Sequence, residues 1–230
     1  VDGRYLEQAR LFVERRGHKT LGDIKFGRTY FQDETPVREM EVLEGHAVRA
    51  LYLASGALDL AVETGDAELA RAVETQYRNA LARRTYITGG MGSHHQDEAF
   101  GQDFELPPDR AYCETCAGIG SIMVLATGDI AWGDVIERTL YNVLATALPE
   151  DGRAFFYASP LHQREPVEAT DQEEWNPRAS ASQRSAWFEV SCCPPNLSRT
   201  IAQLAAYQVA YSGDLLALIQ YFDSEIKVDL

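Results

Sequence analysis

All four cysteines of this 230-residue chain fall in two tight clusters, Cys113-Glu114-Thr115-Cys116 and Ser191-Cys192-Cys193-Pro194-Pro195-Asn196. Neighbouring cysteines rarely bridge each other without straining the peptide between them, and the segments around both clusters read as helical and buried. A disulfide framework therefore accounts poorly for the pattern. A soft metal accounts for it better: three thiolates and the Glu114 carboxylate make a closed tetrahedral set of the kind zinc prefers. If so, any fold of this chain must bring two distant segments together. Closed cysteine-rich sites are usually structural, so these residues alone leave a structural and a catalytic metal both open.

The spacing of apolar residues predicts mostly helix. Helical periodicity runs from Tyr5 to Val13 and from Leu43 to Val62, where His46, Ala50, Leu53, Ala54 and Ala57 fall near one face. Gly65-Asp66 marks a stop and restart, with Asp66 as N-cap of a helix to Arg83, and the two helices form a hairpin. The period resumes from Glu114 to Ala126, and Gly128-Asp129 separates it from a helix over Ile130–Leu148. Pro194 and Pro195 fit the first turn of another helix, over Leu197–Tyr211. Phe155-Phe156-Tyr157 has strand-like composition, and Ala169 to Ser185 reads as a polar surface excursion. Leu215–Phe222 and Glu225–Leu230 read as a β-hairpin turning at Asp223-Ser224 and opening a new all-β layer.

Between Thr88 and Pro108 lies a glycine-rich break followed by a long irregular stretch holding His94, His95, Asp97 and Glu98. A loop of that length with aromatic and acidic residues points to a site lining. Glu98, flanked by Phe100 and Phe104, suits a general acid whose pKa is raised by apolar surroundings. Asp97, Asp103 and Glu105 share the loop, and the residues alone do not choose among the four. Cys192 precedes a helix start, where unpaired amide protons favour a thiolate, so it can serve as metal ligand and nucleophile. His46 could donate a hydrogen bond to a polar ligand. Tyr157, Trp187 and Phe188 are most simply core aromatics, although such rings also suit sugar faces.

The balance of 21 basic against 35 acidic residues, net −14, disfavours nucleic acid, whose phosphates need clustered Lys and Arg. No apolar run reaches the length of a membrane span. Free thiols fit a reducing cytoplasm.

Four runs in order, Gly45-His46-Ala47-Val48-Arg49-Ala50, Tyr86-Ile87-Thr88-Gly89-Gly90, Glu114-Thr115-Cys116 and Cys192-Cys193-Pro194-Pro195-Asn196, resemble the β-L-arabinofuranosidases of glycoside hydrolase family 127. The resemblance implies a mainly α fold: residues 1–212 as the later part of an (α/α)6 barrel, a toroid of helical hairpins, and 213–230 as the start of a β-sandwich domain. It implies zinc held by Glu114, Cys116, Cys192 and Cys193, with Cys113 outside the ligand set. It further implies Cys192 as nucleophile, Glu98 as general acid/base, and His46 and Tyr157 as contacts to an L-arabinofuranoside. Family members are longer, so half a toroid would need a missing upstream segment, a partner chain or self-association into a homo-oligomer to cover its apolar faces. Two other functions are compatible with the residues. One is a helical-toroid sugar epimerase or lyase using His46, His94 and Glu98 around a structural zinc, and the other is an inactive carbohydrate-binding fragment.

Overall fold

A computed structural model describes residues 2–109, 111–127, 130–159, 161–162, 184–188, 190–212 and 215–227. Helix α1 spans Gly3–Arg15, a single turn α2 spans Gly27–Tyr30, and the long helices α3 and α4 span Ala47–Thr64 and Ala67–Arg83. A two-residue strand β1, Cys113–Glu114, leads into α5, Thr115–Thr127. A 3-10 turn Ile130–Trp132, helix α6 Gly133–Thr139 and a π-helical turn Leu140–Leu144 follow. Strand β2, Ala158–Ser159, pairs antiparallel with β1. Helix α7 covers Cys193–Ala202, and strands β3, Val209–Ser212, and β4, Leu215–Leu218, form an antiparallel hairpin.

The core lies where α3 packs against α4 and α5, with α7 packed on α5. Leu51, Leu58, Leu69, Val73, Ile119, Ile122 and Leu125 fill it, each almost wholly buried. Tyr77 reaches across from α4 and satisfies its hydroxyl on the Ser121 hydroxyl, so the buried phenol carries no unpaired group. No helix among the described residues is long and apolar enough to cross a membrane.

The helix-rich expectation holds, while several boundaries shift for local reasons. Leu43 to Gly45 precede α3 and are not helical. Gly45 sits at φ +72°, where a Cβ would come 2.2 Å from the Thr29 carbonyl oxygen. Only glycine turns the chain there, and the turn delivers His46 as N-cap of α3. Glu114 belongs to β1 rather than to the following helix, because its backbone pairs with Ala158. The stretch expected as one helix over Ile130–Leu148 breaks into three short pieces. Helix α7 stops at Ala202, so Tyr211 lies in β3. The hairpin pairs Val209–Ser212 with Leu215–Leu218, ahead of the expected turn at Asp223-Ser224. Phe155 makes an isolated bridge to Ser185, Phe188 is buried, and Trp187 is 51% exposed, against the expectation of a core residue. Of the expected polar excursion, residues 169–183 lie outside the described residues, as do Gly128-Asp129 and residues 228–230.

Asp66 caps α4 as expected, its Oδ1 accepting from the Leu69 amide at 2.9 Å. Its Oδ2 also accepts from Arg38 at 2.7 Å, and Arg38 reaches Glu14 of α1 at 2.9 Å, tying the loop before α3 to α1 and α4. The Arg38 guanidinium, ahead of the helix amides, holds the Asp66 carboxyl down to about 2. A depressed folded-state pKa stabilises the fold above the unfolded value near 3.9 and is lost as pH falls toward about 2. Asp66→Ala is expected to cost about 1–2 kcal/mol in urea unfolding at pH 7. The cost should shrink progressively below about pH 4, and an undiminished cost at pH 2 would show that the charge plays no part.

Candidate active site

Three elements deliver side chains to one place. The loop after α4 is stitched to the start of α3: the Ala47 amide donates to the Glu98 carbonyl at 3.0 Å and the Phe100 amide to the Gly45 carbonyl at 2.9 Å. These bonds lay the Glu98 carboxylate on the His46 imidazole, Oε2 to Nε2 at 2.8 Å. Glu98 itself sits at φ +59°, a left-handed conformation that costs a non-glycine residue of order 1 kcal/mol or more. Such strain persists where surrounding contacts over-determine it, and it clusters at functional positions.

The structure also separates the four candidate carboxylates of this loop. Asp103 pairs with Arg83 and Arg84, and Glu105 pairs with His94 at 2.9 Å. Asp97 accepts from the Ala99 amide and lies 3.6 Å from His94. Glu98 alone of the four clusters with His46 and Glu114, their polar atoms within 4.8 Å of one another.

The second element is β1 with the first turn of α5, which carry Glu114 and Cys116. Pairing with β2 and a bond from the Thr115 amide to the Tyr157 carbonyl at 2.9 Å fix this corner. Gly90 packs directly over Cys113, where a Cβ would stand 2.7 Å from the sulfur. That explains the buried fourth thiol as packing, and burial pushes its pKa up.

The third element is the N-terminus of α7, where Cys192 is the N-cap and Cys193 the first helical residue. Cys193 Sγ lies 3.8 Å from both Cys116 Sγ and Cys192 Sγ, and Cys192 Sγ lies 3.6 Å from Glu114 Oε1. All four cysteines are free thiols, as the sequence implied, and of these Cys192 alone is exposed.

This donor set fits a soft divalent metal. Glu114, Cys116, Cys192 and Cys193 each offer a ligand atom within 4.8 Å of the others. Two sulfurs bound tetrahedrally to zinc at about 2.3 Å stand about 3.8 Å apart, which is the separation that Cys193 makes with each of its two sulfur neighbours. Glu114 Oε2 is buried without a hydrogen-bond partner among the described residues, an acceptor that a cation would satisfy. Burial, followed by the Cys192 and Glu98 charges, pushes the Glu114 carboxyl well up. Hydrogen bonds from Cys116 first and then Cys193 hold the Cys192 thiol well below the usual thiol range.

Beside the cluster opens a cavity of about 530 Å³, large enough for a sugar ring, lined by His46, Glu114, Cys116, Tyr157 and Cys192. Burial, followed by the Glu114 and Cys192 charges, raises the Tyr157 phenol, whose hydroxyl hydrogen-bonds Cys192. The opposite wall holds Arg49, Tyr52, Asn196 and Arg199. Asn196 donates to the Tyr52 hydroxyl at 2.6 Å and accepts from Arg199 at 2.5 Å, and Arg49 stacks on Tyr30 and Phe31.

Of the residues proposed from sequence, His46, Glu114, Cys116, Tyr157 and Cys192 line this cavity, Glu98 and Cys193 touch lining residues, and His94 is engaged with Glu105 and does not line it. Sequence reasoning missed the opposite wall, although a signal was present. Arg49 and Tyr52 follow His46 at helical spacing, as Asn196 and Arg199 follow Cys192. It also missed Tyr112, whose hydroxyl donates to Glu98 Oε1 at 3.1 Å.

Comparison with known proteins gives the arrangement its kin. Residues 1–206 match the family model described as the β-L-arabinofuranosidase, GH127 catalytic domain. A non-reducing end β-L-arabinofuranosidase of Bifidobacterium longum subsp. longum is 34% identical over 199 residues, covering 83% of this chain and 29% of that protein. A solved GH127 β-L-arabinofuranosidase from Geobacillus stearothermophilus T6 superimposes with a TM-score of 0.85 at 35% identity, over 96% of this chain and 37% of the other. A second solved structure, a GH127 β-arabinofuranosidase, gives 0.81 at 40% identity, over 96% of this chain and 32% of the other. The chain therefore spans about a third of the length of these relatives. With a family model covering nearly its whole length and the clustered residues on the matched segment, the chain belongs to the GH127 β-L-arabinofuranosidase family and corresponds to part of its catalytic domain.

Proposed function

We propose that this chain carries the reacting centre of a retaining glycoside hydrolase that releases L-arabinose from β-L-arabinofuranosides. The observation that carries the reading is the convergence of Glu98, His46, Glu114 and Cys192 beside a sugar-sized cavity. Residues 1–212 would form part of an (α/α)6 barrel and the tail the start of a β-sandwich, with the β3–β4 hairpin at the join. The four free thiols favour a reducing compartment, and the cytoplasm is the proposed location.

Zinc would be held by Glu114, Cys116, Cys192 and Cys193, and when bound it would supply positive charge that keeps the thiolates deprotonated. Cys192, the exposed thiol, attacks the anomeric carbon with its sulfur lone pair. The bond from that carbon to the leaving oxygen breaks, and Glu98 passes its proton to that oxygen. In the second displacement Glu98 takes a proton from water, the water oxygen bonds to the anomeric carbon, and the carbon–sulfur bond breaks to restore the thiolate. Two displacements retain the anomeric configuration, as in enzymes with two carboxylates, with sulfur replacing one of the oxygens. His46 holds Glu98 at one oxygen, and Tyr157 hydrogen-bonds the attacking sulfur.

The test is hydrolysis of an aryl β-L-arabinofuranoside by the full-length protein, with the released sugar followed by NMR. The reading expects β-L-arabinose as first product. Glu98→Gln should slow turnover by about 10²–10⁴-fold for a poor leaving group. Epimerised substrate without a released aglycone would favour the isomerase alternative, and binding without turnover would favour a carbohydrate-binding role.

A further inference from the structure

Resting on the proposed role of Glu98, we infer that Tyr112 is a positioning residue that holds the Glu98 carboxyl group in the orientation for proton delivery. Glu98 lies on a loop without regular structure, and a glutamate there has several side-chain rotations to lose before it can act. Both of its oxygens are engaged from different elements: Oε2 meets His46 at the start of α3, and Oε1 accepts from the Tyr112 hydroxyl just before β1. Two hydrogen bonds to the two oxygens of one planar group fix its rotation as well as its position, which a single bond does not.

Tyr112 is itself immobilised. It is 2% exposed, its amide donates to the Gly92 carbonyl at 3.2 Å, and its ring meets His95 and Tyr157 edge-on at 4.9 and 6.3 Å between centroids. Tyr112 lies two residues before Glu114, whose amide donates to the Tyr112 carbonyl at 2.8 Å. One short segment thereby sets the proton donor and the Cys192 cluster relative to each other. A plain core aromatic would use only the ring, so the hydroxyl is the part that distinguishes the two roles.

The test compares Tyr112→Phe with wild type in the full-length protein on two β-L-arabinofuranosides, one with a dinitrophenyl leaving group and one with a methyl group. Dinitrophenolate departs without protonation, and methoxide does not. A positioning role predicts a loss in kcat of about 10-fold or more on the methyl glycoside and about 3-fold or less on the dinitrophenyl one, with KM little changed. In a Glu98→Ala background, where no carboxyl remains to orient, Tyr112→Phe should change dinitrophenyl turnover by less than about 2-fold. Equal losses on both substrates, or an undiminished effect in the Glu98→Ala background, overturn the role and leave Tyr112 as packing. Wild-type protein that cleaves neither glycoside overturns the hydrolase reading itself, a result distinct from either pattern.

Discussion

Cys192→Ala in the full-length protein should abolish measurable hydrolysis of β-L-arabinofuranosides, a fall in kcat of about 10³-fold or more, with the fold intact. The size follows from the chemistry, because alanine leaves no atom to form the bond that replaces the glycosidic oxygen. Serine should restore little. Its hydroxyl is far less acidic than a thiol, and Glu98 is committed to the leaving oxygen rather than to removing a serine proton. Cys192 is the exposed member of the set while Cys116 and Cys193 are buried, so its truncation disturbs packing least. Mass spectrometry offers a second readout. A slow substrate with a good leaving group should add one pentosyl unit to the wild-type chain, on the tryptic peptide holding Cys192, and nothing to the variant. Full activity in Cys192→Ala, or a pentosyl adduct on a carboxylate, would sink the assignment.

The second large effect concerns the metal. Removing it with a strong chelator, or preventing its binding with Cys193→Ala, should lower Tm by about 8 °C or more, since a ligand held at about a thousandfold above its Kd stabilises the fold by about 4 kcal/mol. Without a cation, burial pushes the Glu114 carboxyl well up, and Glu114 Oε2 stays buried with no hydrogen-bond partner among the described residues. Cys193 is the sharper substitution because it stands 3.8 Å from two of the other sulfurs and is fully buried. Metal content by elemental analysis and Tm by calorimetry are measured on the same samples. A chain that binds no metal and melts at the same temperature with and without chelator would remove the metal from the account.

The site was more legible than the fold around it because chemistry writes to sequence at single residues. Two cysteine clusters require their segments to meet, and they do, at β1 and the start of α7. The helical hairpin α3–α4 was legible from apolar period and the Asp66 cap. Its true start was obscured because Leu43 continues the apolar pattern into a turn that only the positive φ of Gly45 reveals. Glu114 was misread as helical because a two-residue strand has too few positions to show alternation. The hairpin at the end was found in kind but placed late, since Val209–Ser212 carries apolar residues compatible with either a helix end or a strand. Choosing Glu98 from among four carboxylates needed coordinates, because the four differ only in the partners that each meets in the folded chain.

The separation of the two sulfur-bearing segments also bears on how the protein is made. Cys116 and Cys193 are 77 positions apart, so at roughly 5–20 residues per second a ribosome exposes the first ligand pair about 4–15 s before the second. During that interval Glu114 and Cys116 have only half of their partners, and the corner formed by β1 and α5 has an incentive to stay open. The cluster closes only after the start of α7 has emerged, so the proposed metal capture would be one of the last events of synthesis for this part of the chain.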